Sequence, residues 1–144
     1  MSDAYAVVIG RFYEDLADRL LSGALGEFER AGITDVHVFD VPGAFELPLA
    51  ALYAAQSGRF EGVACLGAVI RGETSHYDFV AGECARGIQD VQLSTGVPVI
   101  FGVLTTENLE QALARSSEED NKGEESVRTA LEMVNLLRRL ADKA

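Results

Sequence analysis

Four short apolar runs constrain the fold of this chain more than any other feature of its sequence. They are rich in valine, isoleucine and phenylalanine and are mostly uninterrupted by polar residues, which is typical of strands buried on both faces of a sheet. The runs are AYAVVI (4–9), VHVFDV (36–41), GVACLGAVI (62–70) and VPVIFGVLT (97–105). We predict that each forms a strand.

Helical patterns lie between and after these runs, with apolar residues recurring at three- and four-residue steps. The predicted helices cover 14–32, 46–58, 78–96, 108–115 and about 122–142. Alternation of doubly buried strands with helices predicts a doubly wound α/β fold, in which helices cover both faces of a mostly parallel sheet. Ligands of such folds bind at the carboxyl ends of the strands, so the segments after each run are candidate binding segments.

Composition limits the class of protein. The chain has 144 residues, 48% of them hydrophobic, so we expect one domain over residues 1–144. A formal net charge of -11 argues against nucleic acid and anionic membrane surfaces as partners. We also see neither a bilayer-spanning apolar run nor a signal-peptide pattern, and we therefore expect a soluble cytoplasmic protein.

The cysteines and histidines give no sign of a metal site. Cys65 and Cys84 stand 19 positions apart without a CxxC pattern, so we interpret both as buried small apolar residues. The chain contains 2 histidines. His37 lies within a predicted strand, and we expect it to be half-exposed or satisfied in the core, with no role in function.

The segment RGETSHYD (71–78) follows the third predicted strand and combines several chemistries. Ser75 and Asp78 have the spacing of a capping box, which predicts that a helix begins near His76. A histidine there is placed to transfer protons near neutral pH.

The turn before that helix has the features of an anion site. Backbone N–H groups of Gly72, Glu73 and Thr74 would stand beside a helix N-terminus, where unpaired amides and the helix dipole favour a phosphate. The alternative is a capped strand-to-helix turn without a ligand.

Two further segments lie at predicted strand ends. In VPGAFELP (41–48), Phe45 and Glu46 are held at a strand tip, facing either a ligand or the core and a helix terminus. Pro48 requires the next helix to begin just before it. In GRFY (10–13), Phe12 is placed either to stack on a flat ring or to plug the core.

An acidic segment near the last helix carries Arg115 and Lys122. Either cation is suited to hold a phosphate through charge-assisted hydrogen bonds. Alternatively, Asn121 and Glu124 form a capping box for the last helix, and Lys122 is solvated and idle.

Together these motifs resemble the 6,7-dimethyl-8-ribityllumazine synthases, enzymes of riboflavin biosynthesis. The resemblance runs through nearly the whole chain. It is carried by RF (11–12), VPGAFELP (41–48), GAVIRGETSHYDFVA (67–81), GVPVIFGVLTTE (96–107) and NKG (121–123).

The resemblance implies a flavodoxin-like three-layer α/β/α sandwich with a four-stranded parallel sheet, assembled into pentamers or larger particles with active sites between subunits. It implies condensation of 5-amino-6-(D-ribitylamino)uracil with 3,4-dihydroxy-2-butanone 4-phosphate, with release of phosphate and water and without a metal or organic cofactor. The connection 116–120 lacks the glycines common in this family. This difference favours a pentamer or decamer over a large shell.

The resemblance also implies roles for individual residues. Phe12 stacks on the pyrimidine, Phe45 and Glu46 line the ribityl chain, and the neighbouring Ala44 belongs to the same subsite. The backbone of Val69, Ile70 and Arg71 meets the ring edge, while Gly72, Glu73 and Thr74 hold the phosphate. His76 moves protons. Phe101, Arg115 and Lys122 come from the neighbouring subunit, and Arg115 pairs with the phosphate.

Two other functions remain open at this point. The archaeal type of riboflavin synthase is similar in fold and sequence and dismutates two lumazine molecules. A non-catalytic shell protein that binds lumazine or flavin is the other alternative.

Overall fold

Four parallel strands form the central sheet of the computed structural model, which describes residues 3–142. The strands are β1 (Tyr5–Gly10), β2 (Val36–Val41), β3 (Gly62–Ile70) and β4 (Val99–Thr106). They lie in the order β2-β1-β3-β4, and each pairs in parallel with its neighbours. The prediction of a four-stranded parallel sheet is confirmed.

Helices cover both faces of this sheet. They are α1 (Glu14–Arg30), α2 (Leu47–Gln56), α3 (His76–Thr95), α4 (Leu109–Ala114) and α5 (Lys122–Ala141), and a short 3-10 turn (Ala44–Glu46) precedes α2. Pro48 is the second residue of α2, where its missing N–H breaks no helical bond. The result is the predicted α/β/α sandwich.

Two separate apolar cores lie on the two faces of the sheet. Alternate residues of β1 enter different cores: Ala6 and Val8 pack under α2 and α3, whereas Val7 and Ile9 pack under α1 and α5. All six residues of β1 are buried, because both of its faces are covered. This double burial explains why β1 shows no polar alternation. The expectation of double burial is wrong for β2, which lies at the edge of the sheet and is half-buried or exposed along its whole length.

The two cysteines are free and lie in the same core. Both are buried, as expected from the sequence. Burial raises the pKa of the Cys84 thiol to about 12 and also raises that of Cys65. Both side chains therefore remain protonated and unreactive at neutral pH.

The first turn of α5 packs closely on α1. A side chain at Gly123 would collide with the carbonyl oxygen of Leu20, and one at Gly23 would collide with Asn121. Asn121 caps α5 by accepting from the backbone N–H groups of Gly123 and Glu124, at 2.9 and 3.1 Å. These contacts fix the position of Lys122, the first residue of α5.

No helix within residues 3–142 has the length and apolar character needed to cross a bilayer. The same residues contain no group of three or more histidine, cysteine, aspartate or glutamate side chains arranged to hold a metal ion.

Candidate active site

A cavity of about 680 Å³ opens at the carboxyl ends of the strands. The segments that follow β1, β2 and β3 form its walls, because the parallel strands bring their carboxyl ends to one edge of the sheet. This first cavity contains nine of the predicted site residues: Phe12, Ala44, Phe45, Glu46, Val69, Ile70, Gly72, Thr74 and His76.

The first cavity is lined by exposed aromatic side chains, among them two of the predicted site residues. Phe12 is 74% exposed and Phe45 is 58% exposed, so neither plugs the core. Tyr13 contacts the Phe12 ring edge-on, with 4.9 Å between the ring centres. Exposed aromatic rings beside a cavity are typical of a ligand-binding surface.

The turn after β3 differs from its prediction in one respect. Helix α3 begins at His76 as expected, but the Ser75 side chain makes no capping bond. Ser75 has φ -73° and ψ 0°, which is not the extended conformation from which an N-cap side chain reaches the helix. Instead, Thr74 Oγ1 accepts from the His76 backbone N–H at 3.2 Å, and Asp78 pairs with Arg71. The predicted capping box is therefore wrong.

The two histidines have different surroundings. His76 is exposed and lines the first cavity. His37 is half-buried, and its Nε2 lies 2.7 Å from Asp35 Oδ1. Of the two expected surroundings of His37, half-exposed or satisfied in the core, the structure shows the first.

A second cavity, of about 310 Å³, lies beside the edge strand β4. Phe101, Arg115 and Lys122 line it, as do Thr105 and Gln111. These are the three residues that the resemblance assigns to the neighbouring subunit, and the structure places them around one cavity.

The cations of the second cavity differ in their contacts. Arg115 follows α4, is exposed, and forms no ion pair with another residue of the described chain. Lys122 is half-buried, and its Nζ lies 3.3 Å from Glu125. Arg115 is thus the cation with a guanidinium group available to an anion.

The predicted capping box of α5 is only half correct. Asn121 caps the helix, but Glu124 pairs with Arg128 at 2.9 Å and with Arg30 at 3.0 Å. Two guanidinium groups compete with the backbone for this carboxylate, and ionic partners are the stronger attraction. Lys122 is not fully solvated, because its side chain is half-buried where it lines the second cavity.

Comparison with known proteins identifies the family. Residues 4–138 match the profile of the 6,7-dimethyl-8-ribityllumazine synthase family. Proteins with this name from Thermococcus gammatolerans and Thermococcus kodakarensis are 51% and 50% identical to the chain over 136 and 137 residues. A third, from Thermococcus onnurineus, is 49% identical over 135 residues. This chain belongs to the lumazine synthase family.

The match to the lumazine synthases includes both cavities. The alignments cover 94 or 95% of this chain and 88 or 89% of each relative. The first and second cavities have no lining residue in common. The predicted site residues that line a cavity therefore fall into two separate groups on the chain.

Two predicted residues line neither cavity. Glu73 is exposed, and the Arg71 side chain is paired with Glu107 and Asp78. Hydrogen bonds to Glu107 and then to Asp78 raise the pKa of Arg71 above the ordinary value of arginine. Arg71 is therefore cationic and already has two anionic partners.

Sequence reasoning missed residues that α3 adds to the first cavity. Tyr77, Phe79 and Val80 line it beside His76. Phe79 and Val80 stand three and four positions after His76, a spacing that places side chains on one helical face. This spacing is the signal that would have identified them.

Proposed function

We propose that this protein forms lumazine at a site assembled from the first cavity of one subunit and the second cavity of its neighbour. The separation of the predicted residues into two cavities carries this proposal. One chain offers an apolar, aromatic half and a cationic half, and the two halves have no lining residue in common.

Family membership gives the reaction. 5-Amino-6-(D-ribitylamino)uracil condenses with 3,4-dihydroxy-2-butanone 4-phosphate to 6,7-dimethyl-8-ribityllumazine, with release of phosphate and water. The amine attacks the ketone and loses the ketone oxygen as water to give an imine, phosphate leaves by elimination, and ring closure expels a second water. Each step requires proton transfer and orientation more than a strong nucleophile.

The first cavity supplies the pyrimidine subsite. Phe12 offers an exposed face for stacking on the flat ring, and Phe45 with Glu46 accommodates the polyol chain. The backbone at the end of β3, at Val69 and Ile70, provides hydrogen-bonding groups for the ring edge.

The turn before α3 supplies the phosphate subsite and the proton carrier. Gly72 and Thr74 line the cavity beside the N-terminus of a helix of 20 residues, where the dipole favours an anion. A Cβ at Gly72 would meet no atom within 4 Å, so the backbone there is open to a ligand. His76 lies next to this turn and transfers protons during elimination and ring closure.

The neighbouring subunit supplies the second half of the site. Phe101 closes over the pyrimidine, Lys122 contributes to its binding, and Arg115 pairs with the phosphate. A cyclic pentamer repeats this contact and completes five equal sites.

Exposed apolar side chains support self-association. Leu49 and Tyr53 of α2 are 64% and 71% exposed, and Phe79 and Leu93 of α3 are 68% and 72% exposed. These two helices pack on each other on one face of the sheet. A surface of this kind is stabilised when a second subunit covers it.

The test of the function mixes both substrates with the purified protein and follows lumazine absorbance together with phosphate release. We expect the two products to appear in equal amounts. Lumazine alone is the control, because formation of riboflavin from it would indicate the riboflavin synthase reaction. Absence of both reactions would contradict the proposed function.

A further inference from the structure

Arg71 connects three elements at the carboxyl edge of the sheet. Its backbone N–H donates to the Thr106 carbonyl at the end of β4, at 2.9 Å. Its Nε donates to the Glu107 carboxylate at 3.0 Å, and its Nη2 donates to Asp78 Oδ1 in the first turn of α3 at 3.2 Å. The guanidinium carbon lies 4.3 Å from the centre of the Tyr77 ring.

These contacts span the turn formed by residues 72–75. Arg71 fixes one end of the turn to β3 and β4, while Tyr77 and Asp78 belong to the helix at the other end. The four residues of the turn are exposed, so packing against the core does not order them. Fixing both ends of a short segment reduces the conformational freedom that it loses when a ligand binds.

Arg71 is poorly placed to bind phosphate itself. Its guanidinium group pairs with two carboxylates, so this cluster carries a formal net negative charge. Its side chain lines neither cavity, whereas Arg115 lines the second. The positive charge of Arg71 is therefore balanced by carboxylates of its own chain.

We propose that Arg71 is a positioning residue that holds the turn 72–75 and His76 in the geometry required by the phosphate substrate. This inference depends on the phosphate-binding role proposed above for the same turn. Lysine is a poor substitute, because a single ammonium group does not reproduce a planar fork that bonds two carboxylates and stacks on a ring.

Arg138 provides a matched control at the opposite end of the sheet. Its Nη2 also bonds two carboxylates, those of Asp3 and Glu61, at 3.0 and 3.1 Å. The side chains of Arg71 and Arg138 have similar exposure, 38% and 40%. The two arginines therefore differ mainly in which part of the molecule they connect.

The first experiment compares Arg71→Met, Arg71→Lys and Arg138→Met in the assembled enzyme. We expect Arg71→Met to lower kcat/KM for the butanone phosphate about 10- to 100-fold, because small displacements of a binding group have effects of that size. The KM for the pyrimidine should change little. Arg71→Lys should recover only part of the loss, and Arg138→Met should keep the parent values.

Hydrogen–deuterium exchange gives a readout independent of turnover. We expect Arg71→Met, but not Arg138→Met, to speed exchange in residues 72–76. Inorganic phosphate should slow this exchange in the parent protein and have a smaller effect in Arg71→Met.

The outcomes separate this proposal from the proposed function. Parent-like kinetics and exchange in Arg71→Met would overturn it. The proposal would also be overturned if Arg71→Met and Arg138→Met lost the same kcat/KM and both had a lower thermal midpoint. That result would indicate that both arginines only stabilise the fold. If the parent protein makes no lumazine, the proposed function is wrong, and the exchange of residues 72–76 still decides whether Arg71 orders the turn.

Discussion

The arginines near the carboxyl edge of the sheet differ in the contacts of their guanidinium groups. Arg11 pairs with Asp18 and Asp40, and Arg71 pairs with Asp78 and Glu107. Arg115 forms no ion pair within the described part of the chain. A guanidinium group that already has two carboxylate partners offers little to a third anion, so Arg115 is the arginine that we propose to bind phosphate.

We predict that Arg115→Ala raises the KM for the butanone phosphate far more than the KM for the pyrimidine. Loss of a charged hydrogen bond costs about 1.5 to 3 kcal/mol, which corresponds to roughly a 10- to 150-fold change. Steady-state kinetics with each substrate varied in turn measures both constants. Arg139→Ala, at the far end of α5, is the control. An unchanged KM for the phosphate substrate would contradict the assignment.

We predict that His76→Ala slows turnover about 10²- to 10⁴-fold, the usual contribution of a positioned proton carrier. Pyrimidine affinity and the fold should be retained, because His76 is exposed. Single-turnover kinetics and pyrimidine titration separate the two effects. His37→Ala, which alters the other histidine, should leave turnover intact. Parent-like turnover in His76→Ala would remove this residue from the mechanism.

At the scale of elements, the junction between α1 and α5 determines where the second cavity lies. Asn121 caps α5 and also donates its Nδ2 to the carbonyl of Arg19 in α1, at 3.1 Å. Gly123 permits the close approach of α5 to α1, because any side chain there would meet the α1 backbone at Leu20. Lys122 stands between these two residues, so helix packing fixes its position in the second cavity.

We predict that Gly123→Ala destabilises the protein by about 1 to 3 kcal/mol, because an added methyl group forces α5 away from α1. Gly26→Ala in α1 is the control. The nearest atom to its added methyl group would be the Nη1 of Arg30, at 3.8 Å, which is an ordinary contact. Alanine there should leave stability unchanged or raise it by about 0.5 to 1 kcal/mol. Thermal unfolding of both variants tests the pair, and equal midpoints would contradict the close-packing argument.

At the scale of the whole molecule, the chain carries two separate cavities, which we propose to be the two halves of a shared site, and exposed apolar side chains on α2 and α3. Two different surfaces on one chain meet through a heterologous contact, which forms a ring when its rotation closes, and the resemblance to the lumazine synthases implies a ring of five. We therefore predict an obligate oligomer built on a pentamer. Native mass spectrometry measures its size, and an active monomer at nanomolar concentration would contradict the shared site. A particle of sixty subunits would contradict only the preference for a pentamer or decamer.

Mixed oligomers test the shared site directly. Co-expression of His76→Ala with Arg115→Ala should restore activity, since random assembly gives about one quarter of interfaces with two intact halves. Two variants of the first cavity, His76→Ala and Phe12→Ala, should not restore each other, because every site then contains a defective first half. Equal activity in the two mixtures would indicate that each site lies within one subunit.

The sequence by itself determined the fold class, because short apolar runs that alternate with helical patterns predict a parallel sheet covered by helices on both sides. It also determined the order of the elements and the segments at the carboxyl edge, since parallel strands all end at that edge. The beginning of α3 at His76 followed from local residue preferences, although the side chain of Ser75 at the N-cap position makes no capping bond. Local patterns identify a helix end without determining which neighbouring hydroxyl makes the bond.

The tertiary structure decided what depends on long-range contacts. It paired Arg71 with Glu107, 36 positions away, and Glu124 with Arg30 of α1. The sequence left Arg71 and Glu124 available to a ligand or a helix cap, and these ion pairs engage their charges instead. It placed Phe12 and Phe45 on the surface, whereas their sequence contexts also allowed the core. It separated the site residues into two cavities. Distances between residues far apart in the chain arise only from packing of the folded elements, and local sequence patterns do not contain them.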